Sequence, residues 1–322
     1  MQSKDIINVL ENPEARDFIL AHVNEDTPSL ALKYKDKVGF DLANTLVIID
    51  LYKKAKKKIP LFVEQMLALD SRSYQQSTSQ KIAVYKQSQW TGKQLLDLTG
   101  GLGVDSLFMS QSFDQCTVIE PNTELNEIAN YNLKKLGVTN IKRIAQNAQD
   151  YLAHNTSSFD LIYIDPDRRD QGERKHLLQD LSPNVLELLP QLRAKTKKIY
   201  IKLSPLYDID EIWRNIHFAS EVWVLSERNE VKEIGALIDF TNQEQCIRIY
   251  ETQTQVEYLL DRQPPVRIAT SYDCLSHLHI PSAALAKSRT SAHFFEAIDV
   301  RQLGSYYLYT SHSPQVKEHR SF

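Results

Sequence analysis

The sequence predicts an α/β fold: a doubly wound, parallel sheet preceded by a helical segment and followed by a small α+β region. Three observations predict it. Six short β-rich runs alternate with helical stretches from residue 94 onward, no strand-like alternation stands out in residues 1–86, and after residue 226 the β-rich runs lose their intervening helices. Strands separated by helices imply crossover connections, and right-handed crossovers between parallel strands give a sheet covered on both faces.

In the opening segment Ile6, Val9 and Leu10 recur at helical spacing, and Leu42, Leu46 and Ile49 repeat it until Pro60 interrupts. The six runs that follow are LLDL, CTVIE, IKRI, DLIYID, KIYIKL and EVWVLS, with helical stretches between them at 124–136 and 176–192. Beyond residue 226, ALIDF, CIRIYET and VRIA crowd together as a small mixed-sheet appendage, followed by a short helical piece near 283–298 and a last strand, YYLYTS. The expected organisation is therefore a helical domain at 1–86, a ligand-binding α/β domain at 87–234 and a small α+β region at 235–322.

The composition, 42% hydrophobic and 25% charged, is that of a globular protein, and no apolar run approaches the roughly 20 residues of a membrane span. The opening MQSKDIINVLENPEARD lacks the apolar core of a signal peptide. Cys116, Cys246 and Cys274 form an odd set without CxxC spacing, which argues against a disulfide framework or a zinc site; a reducing cytoplasm is the expected home. None of the nine histidines forms a ligand-spaced pair with a convincing carboxylate, so no metal is expected. A net charge of −3 exerts no global pull on nucleic acid, and any such binding must be local.

The stretch LLDLTGGLGVDS at 95–106 places three of the chain's nine glycines within four residues. A strand, a tight glycine turn and a helix in that order make a ligand cradle, because glycine tolerates positive φ and lets a ligand touch bare backbone; a merely structural turn is the alternative. The dinucleotide fingerprint G-x-G-x-x-G is not met, since Ser106 stands where the third glycine belongs. In CTVIEP, Glu120 sits at the tip of the second strand, where a carboxylate can accept bonds from two ribose hydroxyls. DLIYIDPDRRD then runs a strand straight into Asp165, Pro166, Asp167, Arg168 and Arg169, at the sheet edge where doubly wound folds bind ligands.

With that loop the chain resembles class I S-adenosylmethionine-dependent methyltransferases over roughly 94–226: DLTGGLG corresponds to their motif I, the Glu120 position to motif II, and DPDRR to the acidic motif IV loop. DLTGGLGVDS is also similar to the glycine loop of a small-subunit rRNA guanine-N2 methyltransferase family. A narrower resemblance spans almost the whole chain: QQSTSQKIAVYK at 75–86, IDPDRR, IKLSPLYD at 201–208, SERNEVKEI at 226–234 and the tail PSAALAKS…LYTS…RSF resemble uncharacterised methyltransferases with a THUMP-like C-terminal region. Two departures stand out. Asp167 occupies the place of a second proline in motif IV, and no glycine precedes Arg320.

The resemblance implies a Rossmann-like methyltransferase sheet, S-adenosyl-L-methionine as cosubstrate and structured RNA, tRNA or rRNA, as partner. It also implies roles. Asp97, Thr99, Gly100, Gly101, Gly103 and Asp105 would surround the methionine portion, Asp97 taking its ammonium; Glu120 would hold the ribose; Asn147, with Asp150 second, would contact adenine. A helix cap is the alternative for Asn147. Ser77 opens a 77–80 stretch expected to close over the cosubstrate, with an N-cap as the alternative for Thr78. Asp165 and the Pro166 carbonyl would bind the acceptor amine, while Asp167 either joins them, faces solvent or pairs with Arg168 or Arg169. Arg168, Arg169, Lys202, Asn229 and Glu230 are the substrate-side candidates, supported by Arg174 and Lys175 beside the loop; a solvent-facing lysine is the alternative for Lys202. The lysines of 53–58 wrap all faces of a helix end, where cations already suit the dipole. The function expected is methylation of a base amine in tRNA or rRNA. A non-catalytic RNA-binding or assembly module on the same fold is the alternative, and a nicotinamide-dependent oxidoreductase is disfavoured by the missing glycine and by DPDRR.

Overall fold

The computed structural model describes residues 1–168, 178–242, 244–262, 268–291, 300–304 and 308–312. It comprises two compact units, Met1–Tyr163 with Ala194–Thr196, and Ile164–Arg193 with Lys197–Phe322.

The first unit begins with seven helices, α1 (Ser3–Glu11), α2 (Pro13–His22), α3 (Thr27–Tyr34), α4 (Leu42–Lys58), α5 (Pro60–Glu64), α6 (Ser71–Gln76) and α7 (Gln80–Gln89). Their starts are written locally: Asp26, Asp41 and Asp70 accept from the backbone amides of Ser29, Asn44 and Ser73, and Pro13 and Pro60 occupy first-turn positions where no amide is needed. Pro60 ends α4 as expected. Its buried apolar side, Ile48, Ile49, Leu51, Tyr52 and Ala55, belongs to one apolar cluster with Ile6, Leu10, Phe62 and Leu67, and that cluster continues into Leu102, Val104, Phe108 and Ile128. Residues 1–86 therefore share their core with the helix that follows the glycine turn.

Strands β1 (Gly92–Asp97), β2 (Phe113–Ile119), β3 (Ile141–Ile144) and β4 (Leu161–Ile164) alternate with α8 (Val104–Met109), α9 (Thr123–Leu136) and α10 (Ala148–His154). They lie in the order β4-β1-β2-β3, all parallel, with Asp97 opposite Val118 and Tyr163.

The second unit opens with a two-residue strand β5 (Asp167–Arg168) paired antiparallel to β6 (Leu181–Ser182), then α11 (Val185–Arg193). The helix expected at 176–192 thus starts nine residues late. Pro183 biases Ser182 away from helical backbone and has no amide to donate, so the helix begins beyond it. Strand β7 (Lys198–Leu203), α12 (Ile209–Asn215), β8 (Ala219–Glu227), β9 (Glu230–Asp239), β10 (Cys246–Glu251) and β11 (Val256–Asp261) follow, in the spatial order β7-β9-β8-β10-β11.

All six expected strands form, but the arrangement is mixed rather than wholly parallel. Arg228 and Asn229 both adopt positive φ, 55° and 54°, and this two-residue turn sends β9 back antiparallel between β7 and β8. ALIDF and CIRIYET, expected in an appendage, lie in β9 and β10 of this same sheet, and residue 234 falls inside β9. Gly235 in β9 is required by packing: a Cβ there would lie 2.1 Å from the hydroxyl of buried Tyr200, which donates to buried Glu233 at 2.9 Å.

A separate four-stranded sheet of β12 (Thr270–Ser271), β13 (His277–His279), β14 (Val300–Leu303) and β15 (Tyr309–Ser311) has the order β12-β14-β15-β13. Helix α13 (Ala283–Ser288) is shorter than the expected 283–298; residues 292–298, together with parts of VRIA and YYLYTS, lie outside the described residues.

Candidate active site

The glycine turn connects β1 to α8, and each glycine answers a different contact. A Cβ on Gly100 would meet Val118 Cγ1 at 2.4 Å; Gly101 and Gly103 adopt φ of +46° and +86°, and Gly103 is the N-cap of α8. Gly101 donates its amide to Glu120 Oε2 at 2.7 Å, and Asn122 donates to Glu120 Oε1 at 2.9 Å. Glu120, buried just beyond β2, is thereby fixed against the turn while each oxygen keeps further acceptor capacity.

Asp97 ends β1 in full burial. Its Oδ1 accepts from the Thr99 amide at 2.9 Å and from the Thr99 hydroxyl at 3.3 Å; its Oδ2 accepts from Ser106. Ser106, which replaces the third glycine of the dinucleotide fingerprint, is thus tied to the acid. Burial pushes the Asp97 carboxyl up to about 6, with the Asp105 charge adding to the rise, against the hydrogen bonds from Ser106 and Thr99 and the Arg143 cation, which pull it down.

Asp105 is committed elsewhere. Its Oδ2 accepts from Thr78 at 2.6 Å and its Oδ1 pairs at 2.7 Å with Lys86, whose side chain is 0% exposed and whose Nζ also lies 3.1 Å from the Tyr163 hydroxyl. This arrangement fastens 77–79 to the first turn of α8. Ser79, not Thr78, is the N-cap of α7, and its buried hydroxyl has no hydrogen-bond partner among the described residues; Ser77 bonds back to the Tyr74 carbonyl at 2.8 Å.

Asn147 and Asp150 bond to each other on the exposed start of α10: Asn147 Oδ1 accepts from the Asp150 amide at 2.8 Å, and its Nδ2 donates to Asp150 Oδ2 at 2.6 Å. The helix-cap alternative is the one the structure shows for Asn147.

In the second unit Asp165 follows directly on β4, and its Oδ2 pairs with Lys202 Nζ at 2.5 Å. Lys202 on β7 is only 12% exposed, so it is a partner of the acid rather than a solvent-facing end. Pro166 is buried and Asp167 exposed; Arg168 continues β5, whereas Arg169, Arg174 and Lys175 lie outside the described residues. Asn229 accepts from the Ala283 amide at 2.8 Å, bracing α13, and exposed Glu230 pairs with Lys232 at 2.6 Å. Asn229 lies in the hairpin turn and Glu230 opens β9.

The sequence pattern passed over Lys86, Ser106, Asn126 and Arg143. Arg143 reaches the glycine turn itself: it donates to the Gly101 carbonyl at 2.8 Å and to Asn126 Oδ1 at 2.9 Å. Its signal was a charged residue between the apolar positions of IKRI. Among the described residues, no group of three or more His, Cys, Asp or Glu is arranged to hold a metal ion, and no helix is long and apolar enough to cross a membrane.

Parallel strands, a glycine turn opening a helix, and acids at the ends of two adjacent strands define a nucleoside-cosubstrate α/β fold. The profile of the family described as Conserved hypothetical protein 95 matches residues 76–200. An uncharacterized S-adenosylmethionine-dependent methyltransferase of Mycobacterium tuberculosis is 26% identical over 171 residues, 53% of this chain and 45% of the relative. An uncharacterized RNA methyltransferase of Mycoplasma mobile is 33% identical over 97 residues, 30% of this chain and 25% of the relative. The chain spans about half the length or less of these curated relatives. A crystal structure from Porphyromonas gingivalis W83, named as a methyltransferase, superposes with a TM-score of 0.79 at 22% identity, covering 98% of this chain and 80% of that one. The fold is the Rossmann-like methyltransferase fold, and the chain is similar in sequence to S-adenosylmethionine-dependent methyltransferases.

Proposed function

We propose that this protein is an S-adenosylmethionine-dependent methyltransferase whose acceptor is a base amine in tRNA or rRNA. The observation that carries the proposal is the cradle in the first unit: a turn in which Gly100 admits no Cβ, two residues in left-handed backbone, and the two buried carboxylates of Asp97 and Glu120. Those groups suit a cosubstrate with an ammonium at one end and a ribose diol at the other. Asp97 takes the ammonium, and Glu120 uses its remaining lone pairs on the diol. When bound, the cosubstrate supplies an electrophilic methyl group.

Methyl transfer from a sulfonium is an in-line displacement, so the protein chiefly holds donor and acceptor in register. An exocyclic base amine is a poor nucleophile because its lone pair is delocalised into the ring. Asp165 and the Pro166 carbonyl accept the amine hydrogens, turn the lone pair outward and stabilise the positive charge that grows on nitrogen. Lys202 keeps the Asp165 carboxylate oriented. Target recognition belongs to the later strands and the separate small sheet, the region that resembles THUMP-like sequence. Similarity to the Mycoplasma mobile RNA methyltransferase supports RNA as the acceptor class.

Mass spectrometry of tRNA and rRNA nucleosides from cells with and without the gene tests the substrate. One methylated base is expected to vanish without the gene and return with it; unchanged nucleosides in both RNA classes would rule out tRNA and rRNA as acceptors.

A further inference from the structure

We infer that Arg143 is a positioning residue for the cosubstrate: its guanidinium holds the glycine turn in shape from beneath and supplies the cation that keeps Asp97 ready to receive an ammonium. This rests on the cosubstrate reading above and adds a residue that takes no part in it.

The geometry comes first. Arg143 stands on β3 opposite Val118 of β2, the residue that Gly100 abuts. One end of its planar fork donates to the Gly101 carbonyl at 2.8 Å, and Nε donates to Asn126 Oδ1 at 2.9 Å. Asn126 in turn donates to the Glu120 carbonyl at 2.7 Å, so one chain of bonds runs from the turn through Arg143 and α9 to the strand end that carries Glu120. The fork lies so close to the turn that a Cβ on Gly100 or on Gly103 would stand 3.0 Å from one of its terminal nitrogens. Two of the three glycines therefore leave room for an arginine as well as for a ligand. Lysine cannot reproduce this, because it lacks the rigid bidentate fork.

Charge is the second strand of the inference. The groups that face Asp97 are Asp105 and Ser106 on α8, Thr99 in the turn, Cys116 on β2, and Arg143, with Lys86 neutralising Asp105 from α7. Of the charges around Asp97, Asp105 adds to the rise and Arg143 opposes it. Burial lowers the pKa of Arg143 itself, and Asp97 first and Glu120 second work against that loss by favouring its charged form. Removing the cation leaves Asp97 buried beside a like charge, which favours the protonated acid. A protonated acid offers an ammonium an acceptor oxygen but no opposite charge, and so holds it more weakly.

Two variants separate shape from charge. Arg143→Met removes both; Arg143→Lys keeps a charge and loses the fork. The full-length chain is titrated with S-adenosylhomocysteine by calorimetry from pH 5 to 8, and the Asp97 side-chain carboxyl is followed over the same range by carbon NMR without ligand. In the parent, affinity is expected to strengthen as pH rises through about 6, where Asp97 ionises. Arg143→Met should move both midpoints upward and weaken binding at pH 7 by about tenfold or more. Arg143→Lys should hold the midpoint near the parent's and weaken binding several-fold at every pH. If Arg143→Met does not fold, Asn126→Ala carries the same test of shape, with a several-fold loss and no midpoint change. Parent-like affinity and midpoint in Arg143→Met, or a midpoint in Arg143→Lys that moves as far as in Arg143→Met, would overturn the inference. A parent chain that binds no S-adenosylhomocysteine at any pH overturns instead the cosubstrate reading, which the NMR midpoint distinguishes because it needs no ligand.

Discussion

Asp165→Ala is expected to lower methyl transfer by at least about a hundredfold while leaving cosubstrate affinity within a few-fold, the scale seen when one preorganised transition-state partner is removed. The bonds proposed for this carboxylate are made to the acceptor amine and strengthen as charge develops on nitrogen, so the loss belongs in kcat rather than in cosubstrate binding. The Lys202 pair sharpens the comparison. Lys202→Met leaves the carboxylate but frees it from its 2.5 Å partner, so turnover should fall less than in Asp165→Ala. Single-turnover assays on the RNA fraction that carries the methyl mark measure both. Undiminished turnover in Asp165→Ala would remove the loop from the chemistry.

The largest effect on folding is expected at Lys86. Its ammonium is fully buried against Asp105 at 2.7 Å and lies 5.1 Å from the Tyr163 ring centroid. Lys86→Met would leave Asp105 buried, still bonded to Thr78 but without this cation, a change that typically costs about 3–5 kcal/mol. Urea denaturation should show the loss as a lower midpoint with an unchanged slope. Replacing both partners, as Lys86→Met with Asp105→Leu, should recover much of it, because an apolar pair of similar volume carries no desolvation cost. A single variant as stable as the parent would show that the pair does not fasten α7 to α8.

How far the sequence exposed this structure depends on whether the information is local. The six strands and the glycine turn are legible because each is a short apolar run or a cluster of glycines. Asp97 and Glu120 are legible because they stand where apolar runs stop. The antiparallel course of β9 is not, since its turn is Arg228 and Asn229 without a glycine, and Asn229 was open to a substrate role. One consequence is practical: cutting the chain at residue 234 would sever β9 and remove β10 from beside β8. Lys86 and Arg143 are also hidden, because a cation on a helix or in a short strand carries no mark of being buried until its carboxylates are placed. Asn147 shows the reverse case. Cap and ligand contact call for the same residue before a helix, and the cap becomes visible only with the Asp150 amide beneath its oxygen.

Calorimetric titration of the full-length chain with S-adenosylhomocysteine at pH 7.5, with NAD as control and Glu120→Ala alongside, tests the central claim most directly. One saturable site for S-adenosylhomocysteine and no heat from NAD are predicted. Glu120→Ala should weaken the site by about 1.5–3 kcal/mol, the range for charge-assisted bonds to hydroxyls. Binding of NAD but not S-adenosylhomocysteine, or a Glu120→Ala chain with parent affinity, would contradict the account.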